Sequence, residues 1–240
     1  MNRKVYEEKP HALILAGGFG TRLKSVIPNQ PKALANVLGK PFIVYQLEWL
    51  IEQGITHVTL AVHYLADQMQ SFVREWSDKR LVIDCVYEDE PLGTGGAIAN
   101  AINKQKIKGK ILVINGDTLF QFSLKKALLL MRNTAELALL FASEKKDIAR
   151  FGSITVADNY ATSFLQATEI HKPGLVNGGA YLFDVALFKN MKIRPFSLEY
   201  EFFPSLINER KLLVYVLNKK ENFFDIGTPE SYRKICSKDD

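Results

Sequence analysis

An α/β fold on a doubly wound, mostly parallel sheet is the class this sequence predicts. Three observations predict it. Apolar runs alternate with helical patterns along the first 149 residues. The first run breaks into a glycine-rich loop, Gly17-Gly18-Phe19-Gly20, and a later one ends on Gly116-Asp117. Alternating strands and helices bury a parallel sheet between two helical layers. Such sheets take their ligands beyond the carboxyl ends of the strands.

The elements follow in order. Residues 11–16 read as a buried strand and 42–53 as a helix stopped by Gly54. A strand at 58–62, a helix at 65–76 and a strand at 81–87 come next. A glycine-rich turn opens a helix at 96–103. Strands at 111–114 and 135–142 flank a helix at 123–132. Beyond residue 150 the pattern changes to short strands at 152–156, 162–166, 179–183 and 212–217, with helices near 185–189 and 202–209. No linker or internal repeat separates this part. The expectation is one domain of two halves, 1–149 and 150–240.

Composition bounds the function. The chain has 240 residues, 47% hydrophobic and 24% charged, as a soluble globular protein does. No apolar run approaches the roughly 20 residues that span a bilayer. The polar first ten residues lead into no apolar signal region, so the expectation is a cytoplasmic protein without a membrane partner. Cys85 and Cys236 make neither a disulfide framework nor a zinc site; Cys85 reads as a core thiol. The net charge of +5 suits anionic small substrates. Lysines and arginines are mixed with acids and form no basic, aromatic stretch, which argues against nucleic acid. Lys104, Lys106, Lys108 and Lys110 read as a solvated linker, and His11, His57 and His63 as structural or exposed.

Four groups of residues point to chemistry. Leu15 and Ala16 lead into Gly17, Gly18, Gly20 and Thr21, followed by Arg22 and, ten residues on, Lys32. Backbone donors beside an Arg and a Lys suit a polyphosphate. The glycine spacing matches neither the dinucleotide fingerprint nor the P-loop. A second loop, Glu88 to Leu92 and then Gly93-Thr94-Gly95-Gly96, has the backbone to approach a flat ligand. Third, Asp117 ends an apolar strand, and Asp225 follows another apolar run. Two hard carboxylates suit Mg²⁺, although a lone Asp also caps helices. Fourth, Arg150-Phe151-Gly152, Asn177-Gly178-Gly179 and Ser197-Leu198-Glu199 recur after the change in pattern. Ser197 with Glu199 and Glu201 also fits a helix start.

Gly-Gly-x-Gly-Thr-Arg-Leu at 17–23 followed by Pro31-Lys32 resembles the nucleotide-sugar pyrophosphorylases, which join a sugar 1-phosphate to an NTP. The resemblance runs from Leu13 to about Tyr232. It implies a Rossmann-like, glycosyltransferase-A-like fold with a nucleotide half and then a sugar half. It implies that Leu15, Ala16, Gly17, Gly18, Gly20, Thr21, Glu88, Leu92, Gly93, Thr94, Gly95 and Gly116 hold the nucleotide. Arg22, Lys32 and Asp117 become catalytic residues, with Mg²⁺ between Asp117 and Asp225. Gly152, Asn177, Gly178 and Glu199 face the sugar.

One departure stands out. The family's F-x-E-K segment reads Phe164-Leu165-Gln166-Ala167 here, so its phosphate-gripping lysine is missing, and Lys172 is the nearest substitute. Within the family, residues 31–42, 91–97 and 174–179 look most like guanylyltransferases acting on heptose 1-phosphate. That favours GTP and a GDP-heptose product for bacterial surface polysaccharide. The alternatives are uridylyl- or guanylyltransferases acting on N-acetylmuramate, mannose or glucose 1-phosphate, or a catalytically weak nucleotide-sugar sensor. Nothing in the chain fits the hexapeptide β-helix that some relatives carry. The oligomeric state stays open, a homo-oligomer included.

Overall fold

The computed structural model describes residues 9–149, 151–166, 169 and 171–237. The chain enters through β1 (His11–Leu15), a short hairpin of β2 (Asn36–Val37) and β3 (Lys40–Pro41), and α1 (Phe42–Glu52). Then come β4 (His57–Val62), α2 (Ala66–Glu75), β5 (Val82–Tyr87), α3 (Gly93–Gln105) and β6 (Lys110–Asn115). β7 (Thr118–Gln121), α4 (Leu124–Thr134) and β8 (Ala138–Lys145) complete the first half. The second half holds β9 (Ser153–Ala157), β10 (Tyr160–Leu165), β11 (Gly174–Asp184), α5 (Phe203–Asn208), β12 (Leu212–Val216), β13 (Asn222–Asp225) and α6 (Pro229–Cys236).

The main sheet runs β5-β4-β1-β6-β11-β8-β12-β10-β9. Successive side chains of a strand point to opposite faces, and the core divides accordingly. Ala12 and Ile14 pack with Ile43 and Leu47 of α1, Met69 of α2 and Leu128 of α4. Leu13, between them, packs with Ile98 of α3 and Phe203 of α5. The sheet is therefore covered on both sides by helices.

The expected parallel pairing holds for β5-β4-β1-β6. Beyond residue 150 β12 keeps it, parallel to β8, whereas β9, β10 and β11 do not. β11 lies antiparallel between β6 and β8, and β9 and β10 form an antiparallel hairpin. For the β9–β10 hairpin the reason is local. Asp158 and Asn159 both adopt left-handed backbone (φ 50° and 66°), the conformation of a two-residue hairpin turn.

Other expectations shift in detail. The helix expected at 96–103 starts at Gly93 and runs to Gln105, so Lys104 belongs to it and Lys110 to β6, and the solvated linker expected there is reduced to 106–109 with Lys106 and Lys108 exposed. The last α-helical turn near 203 is preceded by a π-helical turn, Leu198–Phe202, capped by Ser197. Cys85 is only half-buried, and burial pushes its thiol up to about 11. The sequence reading missed β7, β13 and α6. No described helix is long and apolar enough to cross a membrane.

Candidate active site

The first glycine loop leaves the carboxyl end of β1 and is pressed from behind. A Cβ on Gly17 would stand 3.2 Å from both Glu88 Oε1 and the His63 backbone nitrogen, so the position has little room for a side chain. His63 shares a hydrogen with the Glu88 carbonyl (2.8 Å) and meets the Phe19 ring edge-on. His63 thus braces the loop, the structural role expected of it. Gly20 takes φ 59° and opens a 3₁₀ turn that carries Arg22. Leu15, Ala16, Gly17 and Gly18 form one wall of a cleft, faced by Glu88, Gly93 and Thr94, with Lys32, Gly116 and Asp117 at its inner end. Glu88 Oε2 accepts from the Leu92 amide at 3.0 Å, and burial holds its carboxyl above the ordinary range.

Asp117 sits where β6 gives way to β7. Gln46 of α1 is fully buried below this turn and donates to the carbonyls of Asn115 (2.8 Å) and Thr118 (2.7 Å). Those two bonds bracket Asp117. Asp225 arrives from the far end of the chain through the antiparallel ribbon of β7 and β13, in which Thr118 stands opposite Asp225. The Ile226 amide donates to the Asp117 carbonyl at 2.9 Å, and the Gly227 amide to Asp225 Oδ1 at 2.7 Å. A Cβ on Gly227 would lie 2.7 Å from Asp225 Oδ1, 3.0 Å from Asp117 Oδ2 and 3.9 Å from Arg22 Nη2. The two carboxylates and the guanidinium thus converge over one glycine. Lys32 joins them, its Nζ 2.6 Å from Asp117 Oδ2.

The cleft continues past Asn115 and Asp117 into a second half. Gly152, Asn177, Gly178, Glu199, Asp225 and Arg22 line it, with Gln166, Tyr200 and Thr228. A chain of side-chain bonds organises it. Asn177 Nδ2 donates to Tyr181 OH (2.8 Å), and Tyr181 OH donates to Glu199 Oε1 (3.3 Å). Burial keeps the Tyr181 phenol well above its ordinary pKa, so it stays a donor. Glu199 Oε2 accepts from Ser197 Oγ (2.8 Å) and Thr94 Oγ1 (2.9 Å).

Residues 11–240 match the nucleotidyl transferase family model. The chain belongs to the nucleotidyl transferase family. It is 37% identical to D-glycero-alpha-D-manno-heptose 1-phosphate guanylyltransferase of Campylobacter jejuni, covering 92% of this chain and 96% of that one. It is 34% identical to the protein of the same name from Aneurinibacillus thermoaerophilus, over 93% and 95% of the two chains. Among solved structures it resembles HddC from Yersinia pseudotuberculosis complexed with GMP-PN, with TM-score 0.83, 33% identity and coverage of 96% and 99%.

Against this nucleotidyl transferase frame, several expected positions stand elsewhere. Leu92 and Gly95 are buried and do not line the cleft. A Cβ on Gly95 would strike the Phe196 ring at 2.1 Å, and one on Gly96 the Arg194 carbonyl at 2.3 Å. The second glycine motif therefore receives the 194–196 segment across the molecule instead of opening entirely to a ligand. Gly20 lines a small adjoining cavity with Leu23 and Tyr64, and Thr21 is exposed outside both halves of the cleft. Lys172 is exposed and absent from the cleft wall; its carbonyl accepts from Ile148. Arg150 and Ala167 lie outside the described residues. Sequence reasoning missed Asn115, Thr118, Gln166 and Tyr200 as cleft residues because each stands beside a motif without a chemical signature of its own.

Proposed function

We propose that this nucleotidyl transferase joins GTP and D-glycero-α-D-manno-heptose 1-phosphate into GDP-heptose, releasing pyrophosphate. The observation that carries the reaction class is the convergence of Asp117, Asp225 and Arg22 over Gly227 at the junction of the cleft's two halves. The names of the two bacterial relatives support the choice of substrates. So does Glu88, a carboxylate on the wall of the nucleotide half. Guanine alone among the common bases offers an N–H beside an NH₂ to a two-oxygen acceptor, and a carboxylate accepts both.

A sugar-phosphate oxygen attacks the α-phosphorus of GTP, the new P–O bond forms, and the bond to pyrophosphate breaks. The chain contributes position and charge, with no covalent enzyme intermediate. Arg22 neutralises the leaving pyrophosphate. Lys32 leaves its ion pair with Asp117 and spans the α-phosphate and the sugar phosphate. Asn177 and Glu199 meet sugar hydroxyls, and the Gly152 and Gly178 backbones flank the ring.

Mg²⁺ fits the residues present. Two hard carboxylates meet over a position that any side chain would fill. Among the described residues no group of three or more His, Cys, Asp and Glu side chains offers a complete protein cage. Two carboxylates suit an ion that keeps water and substrate oxygens in its shell. Bound there, the ion supplies charge neutralisation to the phosphates.

We further read the first half of the sheet as the Rossmann-like, doubly wound core of a glycosyltransferase-A-like fold, with residues 1–149 serving the nucleotide and 150–240 the sugar. The product serves surface-polysaccharide assembly, and the reaction belongs in the cytoplasm, where NTPs are made. The test is a panel of NTPs crossed with sugar 1-phosphates, read by pyrophosphate release with and without Mg²⁺. GTP with the heptose phosphate should give the highest kcat/KM. A better rate with UTP, or with mannose or glucose 1-phosphate, overturns the substrate assignment. Nucleotide binding without turnover on any pair leaves a sensor.

A further inference from the structure

The second glycine motif does something other than touch a nucleotide. α3 opens with Gly93, Thr94, Gly95 and Gly96, and the first turn of a helix carries amide donors that no internal carbonyl satisfies. Two of them are spoken for. The amides of Gly95 (3.0 Å) and Gly96 (3.4 Å) both point at the Phe196 carbonyl, and the Phe196 amide returns a bond to the Leu92 carbonyl (3.0 Å). The missing side chains of Gly93, Gly95 and Gly96 make room for the 194–196 backbone and the Phe196 ring. A segment of the second half is thus docked on a helix of the first.

Thr94 sits in the middle of this joint. Its hydroxyl accepts from the Leu198 amide (2.9 Å) and donates to Glu199 Oε2 (2.9 Å). The same residue lines the nucleotide half of the cleft, while Glu199 lines the other half. With Ser197 also donating to Oε2, that oxygen is held, and Oε1 is left facing Tyr181 and the cleft.

We propose that Thr94 is a positioning residue for sugar recognition. Its hydroxyl fixes the carboxylate of Glu199, and through that bond the nucleotide half sets the affinity of the sugar half. This assignment rests on the reading of Glu199 as a sugar-hydroxyl acceptor. A nucleotide seated against Gly93 and Thr94 steadies the start of α3, and the steadied hydroxyl holds Glu199 in the orientation a sugar requires. The two substrates then bind with positive coupling, which is reciprocal by linkage.

The experiment is steady-state kinetics with GTP and D-glycero-α-D-manno-heptose 1-phosphate varied in turn. Thr94→Val keeps the shape and removes the hydroxyl. It should raise the KM for the sugar phosphate about tenfold or more, the scale of a hydrogen bond to a charged group, and, the coupling being reciprocal, weaken GTP binding chiefly when the sugar phosphate is also present. Thr94→Ser should restore the wild-type value. Glu199→Gln should show the same bias toward the sugar KM, and adding Thr94→Val to it should cost little more, because the two act as one unit. Calorimetric GTP binding by Thr94→Val checks that α3 remains docked. A rise confined to the GTP KM, failure of Ser to restore, or additive effects overturns the assignment. Wild-type turnover is measured first: without it the functional reading falls and this assignment with it, whereas with it the variant pattern alone decides.

Discussion

The two halves of the cleft are built by different means. The nucleotide half is a backbone surface. Its wall comes from short contiguous loops at the carboxyl ends of β1, β5 and β6, and glycines form much of it. The other half is a side-chain surface. Asn177 and Tyr181 of β11, Ser197 and Glu199 at the start of the π-helical turn, and Thr94 of α3 hold one another by hydrogen bonds. Phosphates carry charge on every face, and amides with a few cations suffice for them. Sugars differ from one another in the direction of single hydroxyls, and only oriented side chains tell those apart. The glycine loops are suited to bind a class of ligand; Glu88 in the one half and the hydrogen-bonded side chains of the other are suited to choose within a class.

The largest test of this contrast falls on the junction. Asp117→Asn and Asp225→Asn should each lower kcat by about two to three orders of magnitude, the scale of losing a preorganised electrostatic group. The far-ultraviolet spectrum should not change. On the proposed metal site both would serve one ion, so the double variant should lose little beyond the worse single one. Near-normal turnover of the Asp225 variant at limiting Mg²⁺ would reduce that residue to a support for the Gly227 amide.

A smaller effect belongs to the base. Glu88→Gln should weaken GTP binding about tenfold, because an amide offers one acceptor where guanine needs two. The pH dependence gives a sharper reading. The ionised carboxylate is the acceptor, and burial raises its pKa in the free protein. GTP affinity should therefore fall as pH drops through that raised value, at a higher pH than an exposed glutamate would produce. The Gln variant should lack this acid limb. Equal acid limbs in the two proteins place the base elsewhere.

Next comes the support beneath the junction. Gln46→Leu removes both hydrogen bonds that bracket Asp117 and puts an apolar side chain under the two carbonyls. Urea unfolding should show a loss of about 1–3 kcal/mol, with a lower kcat and little change in either KM. The smallest effect is expected at Lys172. Its place outside the cleft wall predicts that Lys172→Ala keeps the sugar-phosphate KM within about twofold. A selective rise in that KM would return Lys172 to the site.

How much of this was legible in the sequence depended on how local the cause was. The strand–loop–helix order of the first half is written in apolar periodicity, and β1, β4, β5 and β6 fall where it puts them. The first glycine loop is legible for the same reason, since its constraint lies within a few residues. The second was read as a ligand loop because nothing near Gly95 or Gly96 says that Phe196 and Arg194 fill the space beside them. The β7–β13 ribbon was missed because four-residue strands carry too little pattern. Asp225 was nonetheless paired with Asp117, by resemblance; the register that brings them together needed the fold. The change of pattern after residue 150 is legible, but not that β9, β10 and β11 run antiparallel; of these reversals the turn at Asp158 and Asn159 accounts for the β9–β10 hairpin.

The ribbon also bears on how the protein is made. Asp117 leaves the ribosome early and Asp225 long afterwards, with most of the second half between them. Closing so long a loop costs only modestly more entropy than closing a short one, so the late arrival is a matter of timing more than of energy. During synthesis the strands of the first half can assemble around one carboxylate before the second has been translated. A chain cut short ahead of β13 would keep the glycine loop and lose the partner of Asp117. On the proposed function, competence for the reaction thus waits until translation has passed β13.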